Sequence, residues 1–142
     1  MTQRIVFVCT KNAVRSPMAK AIAQHLLDRG EIGGVTVDSA GIDPGDVDGF
    51  AIAAMAEHQL DIQHHEAKDL QDFADTDFDL LITLSTSATT FAQQHYNTLD
   101  GRMEAWDVGD PSLIEGNRDQ QLAAYRDVHA LLTKKIRQRF SL

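Results

Sequence analysis

Residues 5–17 read Ile5-Val6-Phe7-Val8-Cys9-Thr10-Lys11-Asn12-Ala13-Val14-Arg15-Ser16-Pro17. Five apolar residues in a row, rich in β-formers and without polar alternation, predict a strand buried on both faces, as in a parallel sheet. Ser16-Pro17 predicts a helix start, with a hydroxyl cap followed by proline at the first helical position. Met18, Ile22 and Leu26 then share one face, and Gly30 marks the stop. The connection between strand and helix is a short loop that begins at Cys9, the only cysteine in the chain.

The same alternation continues outward. Val35-Thr36-Val37-Asp38 predicts a second strand, ended by Ser39-Ala40-Gly41. Residues 42–49 hold Pro44, Gly45 and three aspartates and are expected to be a loop. A helix is expected over residues 48–58, a third buried strand over 78–84, a helix over 85–95 and a short strand over 103–106. Asn117 and Gln120 have capping-box spacing before a last helix with Leu122, Tyr125, Val128, Leu132, Ile136 and Phe140 as its apolar stripe. Basic residues crowd its end, where they suit the helix dipole. Strands and helices in strict alternation predict an α/β domain with a parallel sheet, residues 1–142 forming one domain.

Composition narrows the function. The formal net charge is −8, which disfavours nucleic acid or an anionic membrane as the main partner, because both need a broad basic surface. It leaves room for one local anion pocket. One cysteine excludes an intramolecular disulfide and any Cys-rich metal site. No apolar run is long enough to span a membrane, the first residues lack the apolar core of a secretory signal, and a cytoplasmic location is expected.

In parallel sheets, sites lie at the carboxyl ends of strands near the topological switch point. That rule puts Cys9 at the end of the first strand, with the loop from Thr10 to Val14 leading into a helix N-terminus. Backbone N–H groups are unpaired there, and the dipole is positive. The loop is expected to wrap an anion. Arg15 adds a planar fork of donors suited to two phosphate oxygens. A thiol in such a field is expected to ionise easily and to act as a nucleophile.

Cys9 and Arg15 have the Cys-x5-Arg-Ser spacing of cysteine-dependent phosphatases. The fuller run Val8-Cys9-Thr10-Lys11-Asn12-Ala13-Val14-Arg15-Ser16-Pro17-Met18-Ala19 resembles the low-molecular-weight protein tyrosine phosphatase family, which includes related arsenate reductases. Val37-Asp38-Ser39-Ala40-Gly41, the pattern of Ile62, His65, Lys68 and Leu70, and Trp106 with Asp110-Pro111 extend the resemblance along nearly the whole chain.

The resemblance implies a three-layer α/β/α fold of the phosphotyrosine protein phosphatase I type, with a four-stranded parallel sheet in the order 2-1-3-4. It implies Cys9 as the nucleophile that becomes a phosphocysteine. Arg15 and the N–H groups of Thr10, Lys11, Asn12, Ala13, Val14 and Arg15 would be the phosphate-binding loop, and Asp110 the general acid and then the base. Ser16 would donate its hydroxyl to the Cys9 sulfur. Asn12 would hold a left-handed loop conformation, with Ser39 and His65 hydrogen-bonding Asn12 or its surroundings. No metal and no cofactor is implied. The implied partners are a phosphorylated protein or a small aryl phosphate, or arsenate with a small thiol, acting on a monomer or weak dimer.

The chain also departs from the pattern. Lys11 replaces the glycine of a Gly-Asn pair and either charges the pocket rim or is solvated. Val14 stands where many members have a second cysteine, so an oxidised Cys9 needs an external thiol. Lys20 stands where glutamate is usual. Leu84-Ser85-Thr86 lacks the cysteine of thioredoxin-coupled arsenate reductases, which leaves only a reductase that uses glutathione or mycothiol. Ser112-Leu113 replaces the aromatic pair that follows Asp-Pro in many tyrosine phosphatases.

Plainer roles compete with several of these. Cys9 is also readable as a small buried apolar group, Arg15 as half of a structural ion pair, Ser16 as a helix cap whatever its other role and Asp110 as a turn residue. Asp107 competes for the acid role, and Ser39 and His65 for simple strand-end and surface positions. His64, His65 and Glu66 are unsuited to hold a metal, since adjacent side chains diverge. Three functions remain in order: aryl phosphatase, small-thiol arsenate reductase, and a non-catalytic module that binds oxyanions or phosphoproteins. The loops over residues 42–49 and 108–116 are expected to rim the pocket.

Overall fold

The computed structural model describes residues 3–97 and 99–142. Strand β1 (Gln3–Cys9) is followed by helix α1 (Arg15–Arg29), β2 (Val35–Gly41), α2 (Gly49–Ala56), β3 (Leu80–Thr83), α3 (Thr86–His95), β4 (Met103–Ala105) and α4 (Arg118–Phe140). Single 3-10 turns lie at Leu70–Asp72 and Pro111–Leu113. The strands form one parallel sheet in the order β2-β1-β3-β4.

The unbroken apolar run of β1 has the meaning that its composition predicts. Ile5, Phe7 and Cys9 join the core beneath α1, α2 and α4, while Val6 and Val8 join a second core beneath α3. Both faces of the strand are therefore dry, and the domain has three layers. Met18, Ile22 and Leu26 of α1 meet Tyr125, Val128, Leu132 and Ile136 of α4 in the first core. On the other face, Ala88 and Ala92 let α3 lie close to the sheet, and Phe78 packs edge-on to Tyr96.

The order 2-1-3-4 sends the chain from β1 to one side and brings it back as β3 on the other. The connections that leave the carboxyl ends of β1 and β3 therefore diverge, and a crevice opens between them. The loop that begins after Cys9 occupies it.

Two boundaries next to the loop differ from the sequence expectation. Strand β2 continues through Gly41, because Ser39, Ala40 and Gly41 pair with Phe7, Val8 and Cys9. Helix α1 begins at Arg15 with Val14 as its N-cap, and no side chain caps it. Ser16 is thus inside the first turn and is not the cap. Its hydroxyl is buried and committed elsewhere, and Pro17 falls among the first-turn positions whose N–H has no partner in any helix. The capping box expected at the start of α4 forms, and two further side-chain caps are present. Asn117 and Gln120 form a reciprocal capping box on α4, Ser85 caps α3, and Asp48 caps α2 through the N–H groups of Phe50 and Ala51.

Asp48 has a second bond. The Tyr125 hydroxyl on α4 donates to its other carboxylate oxygen at 3.0 Å, and the Tyr125 ring stacks on Phe50. This pins the segment that enters α2 to the last helix. Burial and the adjacent Asp48 charge raise the tyrosine hydroxyl well above its usual pKa, so it stays protonated and remains the donor. Tyr125→Phe is expected to cost about 1 kcal/mol of stability, read as a lower urea midpoint with unchanged slope.

Candidate active site

The loop after β1 is organised by where its carbonyls point. The Thr10 carbonyl accepts from the N–H groups of Ile42 (3.0 Å) and Asp43 (2.9 Å), Lys11 from Gly45 (2.8 Å), and Ala13 from Asp48 (2.9 Å). The Asn12 carbonyl accepts from His65 Nε2 at 3.2 Å, and Val14 from Met18 N–H at 3.1 Å. Five consecutive carbonyls are thus held on the outer side of the loop. A trans peptide sets its N–H opposite its C=O. The N–H groups of Lys11, Asn12, Ala13, Val14 and Arg15 are therefore turned inward. Among the described residues none of them donates to another group. The result is a ring of donors of the kind that binds an oxyanion, backed by the first turn of α1.

Asn12 is the hub of this loop. Its φ of +52° lies in the left-handed region, which asparagine tolerates better than most residues. Its Oδ1 accepts from the Lys68 N–H at 2.9 Å and from His65 Nε2 at 3.0 Å. The Lys68 N–H can only donate, which fixes the amide orientation and leaves Asn12 Nδ2 to donate to Ser16 Oγ at 2.7 Å. Ser16 Oγ, with an acceptor site so used, lies 2.9 Å from Cys9 Sγ and 3.3 Å from the Ala40 carbonyl. Its one proton is better placed for the sulfur. Cys9 is 2% exposed and lies at the closed end of the ring.

His65 sits between two oxygens, so its Nε2 carries the proton. Burial, and then the nearby Lys20 charge, lowers its pKa below 6.5 and favours this neutral form. Ser39 behaves differently from its expected role. It is fully buried, yet its hydroxyl has no hydrogen-bond partner among the described residues, so it does not reach Asn12.

Arg15 is 8% exposed. Its Nη1 donates to the carbonyls of Val108 (3.0 Å) and Leu84 (3.3 Å), which hold the guanidinium plane across the mouth of the ring. Its Nη2 lies 3.8 Å from Asp110 Oδ2. Asp110 Oδ1 accepts from the Ser112 N–H at 2.9 Å and the Ser112 hydroxyl at 2.6 Å. One carboxylate oxygen is thereby engaged with Ser112 and the other faces the arginine. Asp107 is exposed and makes no such contact. Lys11 points to the rim and pairs with Asp43, so it is not a free pocket charge. Lys20 and Lys68 both pair with Asp38, and Trp106 packs edge-on against Phe7 as a core wall. No cluster of metal-binding side chains occurs among the described residues.

The model of the low molecular weight phosphotyrosine protein phosphatase family matches residues 4–141. The chain belongs to that family. A probable low molecular weight protein-tyrosine-phosphatase, EpsP of Ralstonia solanacearum, is 29% identical over 96% of this chain and 92% of its own. The glutaredoxin arsenate reductase of Synechocystis is 26% identical over 94% of this chain and 93% of its own. A low molecular weight protein tyrosine phosphatase from T. tengcongensis superposes with a TM-score of 0.85, at 23% identity, over 99% of both chains.

Several contributors to this family site carry no side-chain signature. Ile42, Asp43, Gly45 and Asp48 anchor the loop carbonyls through their backbone N–H groups. Gly41 is needed because a Cβ there would come within 2.7 Å of the Asn12 nitrogen and 2.9 Å of the Lys11 carbonyl carbon. The only available signal was a glycine closing a strand. Thr10 Oγ1 contacts Ser85 (3.1 Å) and Ser87 (2.7 Å), which ties the loop to the cap of α3.

Gly41→Ala is expected to cost about 1–3 kcal/mol by overpacking and to weaken phosphate binding by more than its stability loss implies, checked by denaturation beside phosphate titration. His65 gives a pH prediction. Its folded pKa lies below the unfolded 6.5, so the unfolded chain binds more protons between the two values. Stability is full above the unfolded pKa and is lost as pH falls toward the folded one. His129 is shifted in the same direction. In His65→Gln, part of this slope should disappear in a pH series of urea midpoints, and the remainder should persist.

Proposed function

We propose that this family member is a cysteine-dependent phosphatase that hydrolyses aryl phosphomonoesters, with protein phosphotyrosine as its physiological class of substrate. One arrangement carries the reading: a sulfur 2.9 Å from a serine hydroxyl, inside a ring of inward N–H groups, faced by an arginine 3.8 Å from a carboxylate.

The Cys9 thiolate attacks phosphorus and forms a P–S bond, while the P–O bond to the leaving group breaks. The protonated Asp110 gives its proton to the departing oxygen through Oδ2, the oxygen not held by Ser112. The ring N–H groups and Arg15 bind the equatorial oxygens, where donors fixed in advance need no reorganisation as charge moves. The Arg15–Asp110 contact must yield when phosphate enters, which transfers the arginine from carboxylate to substrate. In the second half, Asp110 takes a proton from water, the water oxygen attacks phosphorus, and the P–S bond breaks. The Ser16 hydroxyl stabilises the departing thiolate.

The relatives named as arsenate reductases favour a second reading. The same ring would accept arsenate, with Cys9 bonded to arsenic in place of phosphorus. Cys9 is the only cysteine, so the two electrons for reduction would come one each from Cys9 and an external thiol of the glutathione or mycothiol kind, leaving a mixed disulfide that a second external thiol would reduce to restore Cys9. A non-catalytic oxyanion module explains the ring and leaves the paired nucleophile and acid without a purpose.

Hydrolysis of p-nitrophenyl phosphate and phenyl phosphate, with chelator and reductant present, separates these readings. Cys9→Ser is expected to abolish turnover. Asp110→Asn is expected to lower kcat/KM by about 10²–10⁴, more for phenyl phosphate, whose leaving group needs the proton more. Turnover that survives in Cys9→Ser would refute the mechanism. Arsenate-dependent thiol oxidation without phosphatase turnover would select the reductase.

A further inference from the structure

A second cleft lies between the outer faces of α1 and α4, away from the catalytic loop. It has a volume of about 370 Å³, within the usual size of a small-molecule site. His25 and Arg29, one turn apart on α1, line one wall. His129 and Arg137, two turns apart on α4, line the other, and His58 closes the end. Ile22 and Leu26, both buried, lie beneath them. The catalytic loop joins α1 at its first turn, while Arg29 ends the same 15-residue helix. The two sites are therefore roughly 20 Å apart along α1.

The charge of this cleft is opposite to that of the molecule. The chain carries a net −8, yet no carboxylate lines the cleft. Four other arginines, at positions 4, 15, 126 and 139, pair with acids. Neither Arg29 nor Arg137 has an acidic partner among the described residues. Glu57, beside His58, is occupied by Arg126, which reaches both of its oxygens at 2.7–3.2 Å. The His58 and His129 rings stack at 3.7 Å with planes 9° apart. Protonating both without a counter-ion sets two cations face to face. Glu57 acts electrostatically on both rings, but its two oxygens are already engaged by Arg126, while Arg29 and His25 on α1 and Arg137 on α4 add no negative charge.

We propose that this cleft binds a small molecule carrying two or more phosphate-type charges, at a site separate from the catalytic loop. The two guanidiniums would each take a pair of anion oxygens. The histidine ring N–H groups that line the cleft would donate further hydrogen bonds to the anion. The proposal does not depend on which reaction the catalytic loop performs.

The probe is inorganic pyrophosphate, followed by residue-resolved NMR of the histidine rings and the backbone amides. Because the catalytic loop will also bind this anion, the amides of Lys11, Asn12 and Ala13 report that event separately. In the wild-type protein the rings of His25, His58 and His129 should shift in a saturable way. In the Arg29→Gln/Arg137→Gln double variant the histidine response should weaken by about tenfold or more, while the loop amides titrate as before and turnover is unchanged. Loop amides that shift alone would overturn the proposal. So would histidine shifts that are equally strong in the double variant.

Discussion

The site depends on the outward anchoring of five successive loop carbonyls. Each is bonded on the outer side of the loop, by residues 42–48, by His65 or by the first turn of α1. Peptide geometry then turns the N–H groups inward, where they meet no acceptor among the described residues. Such a cluster of like dipoles is unfavourable in itself. The surrounding hydrogen bonds hold it in place, and a bound oxyanion would relieve it. The left-handed Asn12, the absence of a side chain at Gly41 and the buried Asn12–Ser16–Cys9 chain all serve this one orientation.

Much of this was legible in the sequence, because it rests on strong local signals. The apolar run of β1 specified a strand buried on both faces, and the strict alternation of elements specified the parallel sheet. The Cys9–Arg15 spacing marked the loop. The capping box at Asn117 and the stripe of α4 placed the last helix. Other parts were not legible, for definite reasons. The 42–48 segment works through main-chain N–H groups, which any residue but proline supplies. Arg15 is held by carbonyls 69 and 93 residues away, and no side chain marks them. Ser16 carried a cap signature, but the tertiary bonds from Asn12 and to Cys9 override a local preference worth only about 1 kcal/mol. Ser39 shares the strand end that the resemblance singled out, yet its hydroxyl has no partner among the described residues.

The distribution of charge sets the character of the molecule. A chain with net charge −8 binds an anion only where geometry concentrates donors. At the loop after β1 these are peptide dipoles and one nearly buried guanidinium. Asp110 completes the pocket by facing Arg15 with one oxygen while Ser112 holds the other. The same pocket suits phosphate and arsenate, since both are tetrahedral oxyanions. What separates phosphatase from reductase is the fate of the bond to Cys9: water ends it in one case and a thiol from outside in the other.

The most direct test of this chemistry is the bond itself. Wild-type protein mixed rapidly with a radiolabelled aryl phosphate and quenched in acid should show a burst of phenol equal to the protein present. The label should lie on Cys9, as a phosphocysteine located by mass spectrometry, and should disappear as substrate is exhausted. Steady release of phenol with no burst and no label on Cys9 would contradict the covalent mechanism, and with it the part that the loop plays in holding the transferred phosphoryl group.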